Sequence, residues 1–554
     1  MSRAAEIIKK TRPYAPALFL VLAVAAGGLR SPGAWLVFGA LFLPWAALAP
    51  RGFSRPGLTA PVLFFSWLAA AAFFSPEPAF SVGAFSRYAV FGLLFFYAAS
   101  SEEGGAGWLA AVCGLGAAAA AVFISQRLSG HGPTGLIGAN PNYSAAFCAA
   151  AFPAVLLALS GAGDKKRRSY YWALALLLAA GLYASGSRGA ALAAFLSAAA
   201  GLGFTRRWGG LAALFSAGLA IAAFLPSSAW EGLLKFADPR AFERPRLWGA
   251  ALEAAASSPL LGWGPGLFGR AFEVFKFPYF DGLSYYGHST LHAHSEILNL
   301  AAEAGFPAAL FFLLAAAAAL ASGGKEKLPL KLCALAVLIQ GSADMIYYSG
   351  AVALLFWGSL GFSAGGGQAV PAVVILPAPE NGGSGFRGKG ALAALCFAGL
   401  ALAPAAALFS GRQEFLARSY GEAQRGHNPA LALALARSAA LDSPKDAFRA
   451  ADEGRAFAAA GDAAGAEAAF GRALSLEPGF AGARLGLALV YAASGLRGEA
   501  CAEFARLEKA PAAAQLNPYQ RGLADFDRPA AEKTKKELCG KKKTGAATAF
   551  PRRT

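Results

Sequence analysis

Residues 226–269 read PSSAWEGLLKFADPRAFERPRLWGAALEAAASSPLLGWGPGLFG, and residues 288–305 read HSTLHAHSEILNLAAEAG. Residues 226–305 as a whole hold Arg240, Arg244, Arg246, Arg270 and three of the five histidines, His288, His292 and His294. The sequence on either side is apolar enough to sit in lipid. A membrane protein that gathers its titratable groups into one long loop places its chemistry there. The rest of the chain reads as the frame that holds this loop at a bilayer surface.

The 554 residues are 56% hydrophobic and 15% charged, with a mean hydropathy of +0.46. These values exclude an ordinary soluble domain and indicate an all-α, polytopic membrane bundle. Crossing about 30 Å of hydrocarbon takes ~20 mostly apolar residues. Segments of that kind fall at 14–29, 33–50, 58–74, 80–99, 107–124, 143–160, 170–185, 189–205, 209–225, 294–322, 330–348, 350–366 and 390–410, about 12–13 spans. The basic amino terminus (Arg3, Lys9, Lys10, Arg12) reads as a first anchor rather than a cleaved leader, because many spans follow it.

With that terminus in the cytoplasm, the basic clusters all fall on cytoplasmic gaps. Arg51 and Arg55 follow the second span, Lys165 to Arg168 the sixth, and Arg206-Arg207 the eighth. Lys325, Lys327 and Lys331 follow the tenth, while Arg387 and Lys389 precede the thirteenth. This bias accounts for much of the net charge of +17 without a nucleic-acid partner. The same topology exports the 226–293 loop, the 186–188 turn and everything after residue 411. Residues 366–389 read as a Gly-rich linker, and 390–410 as a further span beyond the 1–365 membrane domain.

From Gln413 the chain becomes Ala-rich but charged, as a soluble helical domain would be. Pro444 and Pro478, Phe457 and Tyr491, Gly461 and Gly495, Ala466 and Ala500, and Phe470 and Phe504 are all 34 residues apart. This period resembles the tetratricopeptide repeat, an α-solenoid of helix-turn-helix units, with about three repeats over 413–514. Such repeats imply a protein partner. The basic 515–554 tail reads as disordered, and its Cys539 would share an oxidising compartment with Cys501.

Several residues could carry chemistry. His294 opens the tenth span and could accept a proton from a hydroxyl near neutral pH. His288, His292 and Glu296 crowd the same approach, so a metal site is an alternative, although the spacing fits neither HExxH nor a Cys/His site. Arg188, in SGSRGA, is either a snorkelling stop residue or an anion ligand wrapped in small residues. Arg244 and Arg246 precede Trp248 on an amphipathic helix, where guanidinium forks would suit a pyrophosphate. Asn140 and Asn142, in GANPNY, could bind a sugar or phosphate, or simply make a turn. Gly264-Pro-Gly266-Leu-Phe-Gly269 matches GxGxxG formally, but it lacks a preceding strand and reads as a turn.

In this order, GLIGANPNYSA (135–145), SGSRGA (185–190), RPRLWGAALEAAASSPLLGWGPGLF (244–268) and HAHSEILNLAAEAG (292–305) resemble the O-antigen ligase and polymerase superfamily of bacterial inner-membrane glycan transferases. The resemblance covers about residues 1–365. It implies a glycan donor on undecaprenyl pyrophosphate, an acceptor hydroxyl, and no cofactor or metal. It also implies that the long loop is periplasmic. By motif, Arg188, Arg244 and His294 take the catalytic places, and Arg246 could take that of Arg244; Arg246, Asn140, Asn142, His292 and Trp248 read as substrate contacts. The family usually has His-Asn where this chain has His294-Ser295. The acceptor left open by the resemblance is lipid A core, a growing polysaccharide or a protein. A glycan or lipid transporter is the reading from another class, but no duplicated set of spans supports it.

Overall fold

The computed structural model describes residues 12–48, 59–101, 104–138, 140–224, 231, 243–279, 282–365, 412–508 and 516–540. Every regular element among them is helical. The chain divides into two compact units. One comprises Met1–Ala271 and Leu291–Ser410, and the other comprises Phe272–Thr290 and Gly411–Thr554.

The first unit contains α1 (Ala15–Ala25), α2 (Pro32–Leu48), α3 (Thr59–Phe73), α4 (Pro78–Ser100), α5 (Gly105–Leu128), α6 (Pro141–Gly161) and α7 (Lys165–Ser185). It continues with α8 (Arg188–Phe204), α9 (Trp208–Phe224), α10 (Arg244–Ser257), α11 (Phe268–Phe275, which runs into the second unit), α12 (Glu296–Ala321), α13 (Leu328–Gly341) and α14 (Gly350–Ala364). Runs of Ala and Leu favour helix, and in lipid a helix satisfies its own backbone. Several starts are set by capping side chains: Asn140 for α6, Asp164 for α7, Ser187 for α8 and Ser295 for α12. Aromatic side chains fill the centre, where the Trp357 ring stacks on Phe64 at 5.4 Å and packs edge-on against Phe95 and Phe312.

Four described helices, α4, α5, α6 and α12, are long and apolar enough to cross a membrane. Others of the expected spans are shorter apolar helices, among them α1, α3, α8 and α14. The 390–410 span and the 366–389 linker lie outside the described residues. The expected continuous span at 330–348 is corrected: α13 stops at Gly341, and a separate single turn follows at Ile346–Tyr348. Ser342 and Asp344 fall in the gap, where short polar side chains compete with helical hydrogen bonding.

The tenth span is also interrupted. Gly305 in α12 has φ 82° and ψ 168°, and Pro307 follows it. The 259–264 loop supplies the hydrogen bonds that the break removes. Phe306 N–H donates to Pro259 O (2.9 Å), Gly264 N–H to Glu303 O (2.7 Å) and Trp263 N–H to Ala302 O (3.0 Å). Trp67 Nε1 donates to Ala304 O (3.0 Å). A Cβ on Gly305 would lie 2.0 Å from Leu260 O, so only glycine permits this approach. The GWGPG stretch is thus a turn that seals a broken helix.

The second unit contains α15 (Arg412–Arg425), α16 (Pro429–Asp442), α17 (Ala447–Ala459), α18 (Ala463–Leu476), α19 (Ala481–Ala493) and α20 (Arg497–Leu507). They form three successive helical pairs, and Pro429, Ala463 and Arg497 begin their second helices at 34-residue intervals. Phe470, fully buried, packs against Gly454 and Gly486 of the flanking helices. The tail expected to be disordered is corrected over 516–540. It forms α21 (Pro518–Ala524) and α22 (Arg528–Cys539), and a Cys501–Cys539 disulfide holds α22 to α20. Buried Ala531 adds apolar contact there, which offsets the solubility of the neighbouring lysines. Residues 541–554 lie outside the described set.

Candidate functional site

The site is built where α10, the start of α6 and the gap after α13 meet the residues leading into α12. Asp344 sits in that gap with only 2% of its surface exposed. A carboxylate so buried needs partners, and four surround it. Asn142 Nδ2 donates to Oδ2 at 2.5 Å, and Met345 N–H donates to Oδ1 at 2.8 Å. Arg244 Nη2 pairs with Oδ2 at 3.5 Å, and His294 Nδ1 lies 3.8 Å from Oδ1.

Arg244 opens α10, one helical turn before Leu247 and Trp248, so it lies on the side of the helix that faces the protein. Its Nη1 donates to Ala343 O at 2.7 Å, and its side chain keeps 35% exposure. Arg246 is rotated roughly 200° around the same helix and is exposed. The structure therefore brings Arg244, not Arg246, to Asp344.

His294 has φ 53°, in the left-handed region that a non-glycine residue occupies only when its surroundings hold it there. Trp248 Nε1 donates to the His294 carbonyl at 3.4 Å. On the other side, Ser295 caps α12 through Leu298 N–H (3.4 Å), and Ala293 N–H donates to Asn299 Oδ1 (3.2 Å). Serine and asparagine are equally good N-caps. Ser295 thus has a local structural role at the position where the resemblance anticipates asparagine.

His292, two residues earlier, tilts over Tyr348 with ring centroids 4.5 Å apart. Burial, with the neighbouring His294 and Arg87 charges, lowers its pKa to about 4, so it is a neutral ring at physiological pH. His292, Arg87, Tyr88, Glu296, Asn299 and Glu303 line a cavity of about 280 Å³. The Arg87 guanidinium lies 5.9 Å from the Trp35 ring centre, and Tyr88 OH donates to Glu296 Oε1 at 3.4 Å.

The remaining expected residues are placed as follows. Asn140 Oδ1 accepts from Asn142 N–H (2.9 Å) as the cap of α6, so its amide is engaged within the turn. Asn142 connects onward, because Gln340 Nε2 donates to its carbonyl at 3.1 Å. Arg188 is the exposed first residue of α8. A Cβ on its neighbour Gly189 would lie 3.6 Å from Gln340 Cγ, which brings the Arg188 turn against the same polar chain. His288 lies in the second unit, ringed by Phe272, Phe277 and Tyr279. Among the described residues, no three His, Cys, Asp or Glu side chains group so as to hold a metal ion.

Sequence reasoning missed Asp344, Gln340 and Arg87. Two of them carried a signal. Asp344 is the one acidic residue between Leu328 and Ala364, and Arg87 is the one charge between Pro78 and Ser100. An isolated charge in an apolar stretch is a site candidate on energetic grounds.

Residues 173–313 match the family model described as O-Antigen ligase. That stretch contains Arg188, Arg244 and His294 with the loop between them, whereas Asn142 and Asp344 lie outside it. Among curated proteins, no sequence matches the chain significantly.

Proposed function

We propose that the protein transfers a glycan from a polyprenyl-pyrophosphate carrier to an acceptor hydroxyl at the outer face of a bacterial inner membrane. The observation that carries this reading is the convergence of Arg244 and His294 on the single buried carboxylate of Asp344. A membrane-embedded enzyme of the O-antigen ligase kind needs a base beside an anion-binding cation, and this arrangement supplies both.

Asp344 faces Nδ1 of His294, which leaves Nε2 as the basic nitrogen. The acceptor O–H gives its proton to Nε2 as its oxygen bonds to the anomeric carbon. The bond from that carbon to the pyrophosphate oxygen breaks, and the electron pair leaves with the carrier. The anomeric configuration inverts. Asp344 then stabilises the imidazolium that has formed. Arg244 uses one nitrogen on Ala343 O and another on Asp344 and retains further N–H groups for the growing phosphate charge. Arg188, at the amino end of α8, adds a second cation where the helix dipole also favours an anion. The cavity beside His292 pairs ionisable groups with the Trp35 face, a lining suited to sugar hydroxyls and ring carbons.

Purified protein incubated with polyprenyl-pyrophosphate-linked glycan and separate lipid A core, polysaccharide and peptide acceptors tests the reading. A glycosylated product with one of them, abolished by His294→Ala, is expected. Uncoupled movement of the intact lipid-linked glycan across vesicles, with no product on any acceptor, would establish the transporter instead.

A further inference from the structure

Residues 272–290 belong to the same compact unit as the C-terminal helices, not to the unit that holds the rest of the loop. Their attachment is specific. Glu477, at the end of α18, is fully buried, yet both its oxygens accept from the backbone of this segment. Tyr285 N–H donates to Oε2 and Tyr286 N–H to Oε1, each at 2.6 Å. Tyr519 OH from α21 donates to Oε1 at 3.1 Å, so the carboxylate holds three donors. Lys445 Nζ donates to Lys276 O at 2.5 Å, which fixes the other end of the segment. Leu283 packs on Gly479, and Gly287 lies so close to Tyr519 that a Cβ there would come within 2.2 Å of the ring.

Paired backbone amides on a buried acid, with Leu283 and Gly287 in close contact on either side, are the kind of main-chain capture by which a peptide ligand is held. The peptide in this case is part of the same chain. We infer that the C-terminal helical repeats act in cis, with residues 272–290 of the loop as their ligand, and so position the segment that runs into His294. The coupling is covalent and short, since Thr290 is followed directly by Leu291 and His292. A repeat surface that already holds this segment is a structural part of the catalytic loop, and no separate protein is needed to occupy it.

The test uses hydrogen exchange on the full-length protein in detergent, read on three stretches, so it does not depend on the transfer reaction. Glu477→Ala removes both acceptors, and Gly287→Ala drives a methyl group into Tyr519 from the loop side. Each is expected to speed exchange of the Tyr285 and Tyr286 amides by ~10-fold or more, the scale of hydrogen bonds to a charged group. Exchange across 291–295 should rise with it, while the helices over 447–493 stay protected. Tyr519→Ala added to Gly287→Ala should restore part of the protection. If Glu477→Ala also loosens the 447–493 helices, the Gly287→Ala pair decides. Unchanged protection at 285–286 in Gly287→Ala overturns the clamp. Loosening at 285–286 with no change across 291–295 overturns its positioning role.

Discussion

Nδ1 of His294 lies 3.8 Å from Oδ1 of Asp344, just beyond hydrogen-bonding distance, with the carboxylate held in place by Asn142 and Met345. Catalytic contacts of this length shorten when substrate arrives. The first expectation follows from that pairing. Asp344→Asn should lower the transfer rate by ~10²–10⁴-fold, as should His294→Ala. Combining them should cost little more than either alone, because the two act as one unit. Fully multiplicative losses in single-turnover assays would show that they work separately.

The arginines should behave differently from the base. Arg244→Ala is expected to weaken donor binding and turnover together, since its charge meets pyrophosphate before and during bond breaking. Arg244→Lys should recover only part of either, because an ammonium cannot bridge Ala343 O and Asp344 as the guanidinium does. Arg246→Ala should leave both near the wild-type value. Titrating a fluorescent lipid-pyrophosphate into each variant separates these outcomes, and a large loss in Arg246→Ala with none in Arg244→Ala would reverse the assignment.

Acid should destabilise the folded protein through His292. Its folded pKa is about 4 against an ordinary 6.5, so between those values the unfolded chain binds the additional proton. Stability is therefore fully present above pH 6.5 and falls as pH drops toward 4, by about 3 kcal/mol over the window. Thermal midpoints measured across this range should slope less steeply in His292→Gln. Identical slopes would place the acid sensitivity elsewhere.

The break in α12 makes a stability prediction. Trp67→Phe removes the donor to Ala304 O while keeping most of the ring volume, and should cost about 1–3 kcal/mol. Gly305→Ala should be worse, because its methyl would meet the Leu260 carbonyl. Unfolding midpoints and expression levels report both, and a neutral Gly305→Ala would mean that the turn can move aside.

Reporter fusions at Phe275 and Ala463 should agree with one another, because both residues belong to the second unit. A reporter active only in the cytoplasm should stay silent at each. A signal at one position alone would contradict the single body formed by the loop segment and the repeats.

Much of this site was legible because its residue types are rare in their surroundings. Arg244 and His294 stand out in an apolar chain, and the structure brings them to one carboxylate. Asp344 was not found because average hydropathy carries 330–348 through as one span, smoothing over the Gly341 to Asp344 break. The 34-residue spacing located the three helical pairs. Composition misread 516–540, where Lys533, Lys535 and Lys536 suggested a solvated tail. Distant contacts decided that region instead: the Cys501–Cys539 bond and the burial of Ala531. Likewise no local pattern marks Glu477, whose backbone partners in the loop are 191 and 192 residues away.

The bond between Cys501 and Cys539 forms where thiols are oxidised and does not persist in a reducing cytoplasm. Each molecule therefore carries a covalent record of where its carboxy-terminal half matured. Alkylating whole cells before lysis and comparing mobility with and without reductant reads that record from unmodified protein, with no fused reporter. A domain kept in a reducing compartment would present two reactive thiols, and one in an oxidising compartment none. The bond thus reports, molecule by molecule, the redox compartment in which this domain resides.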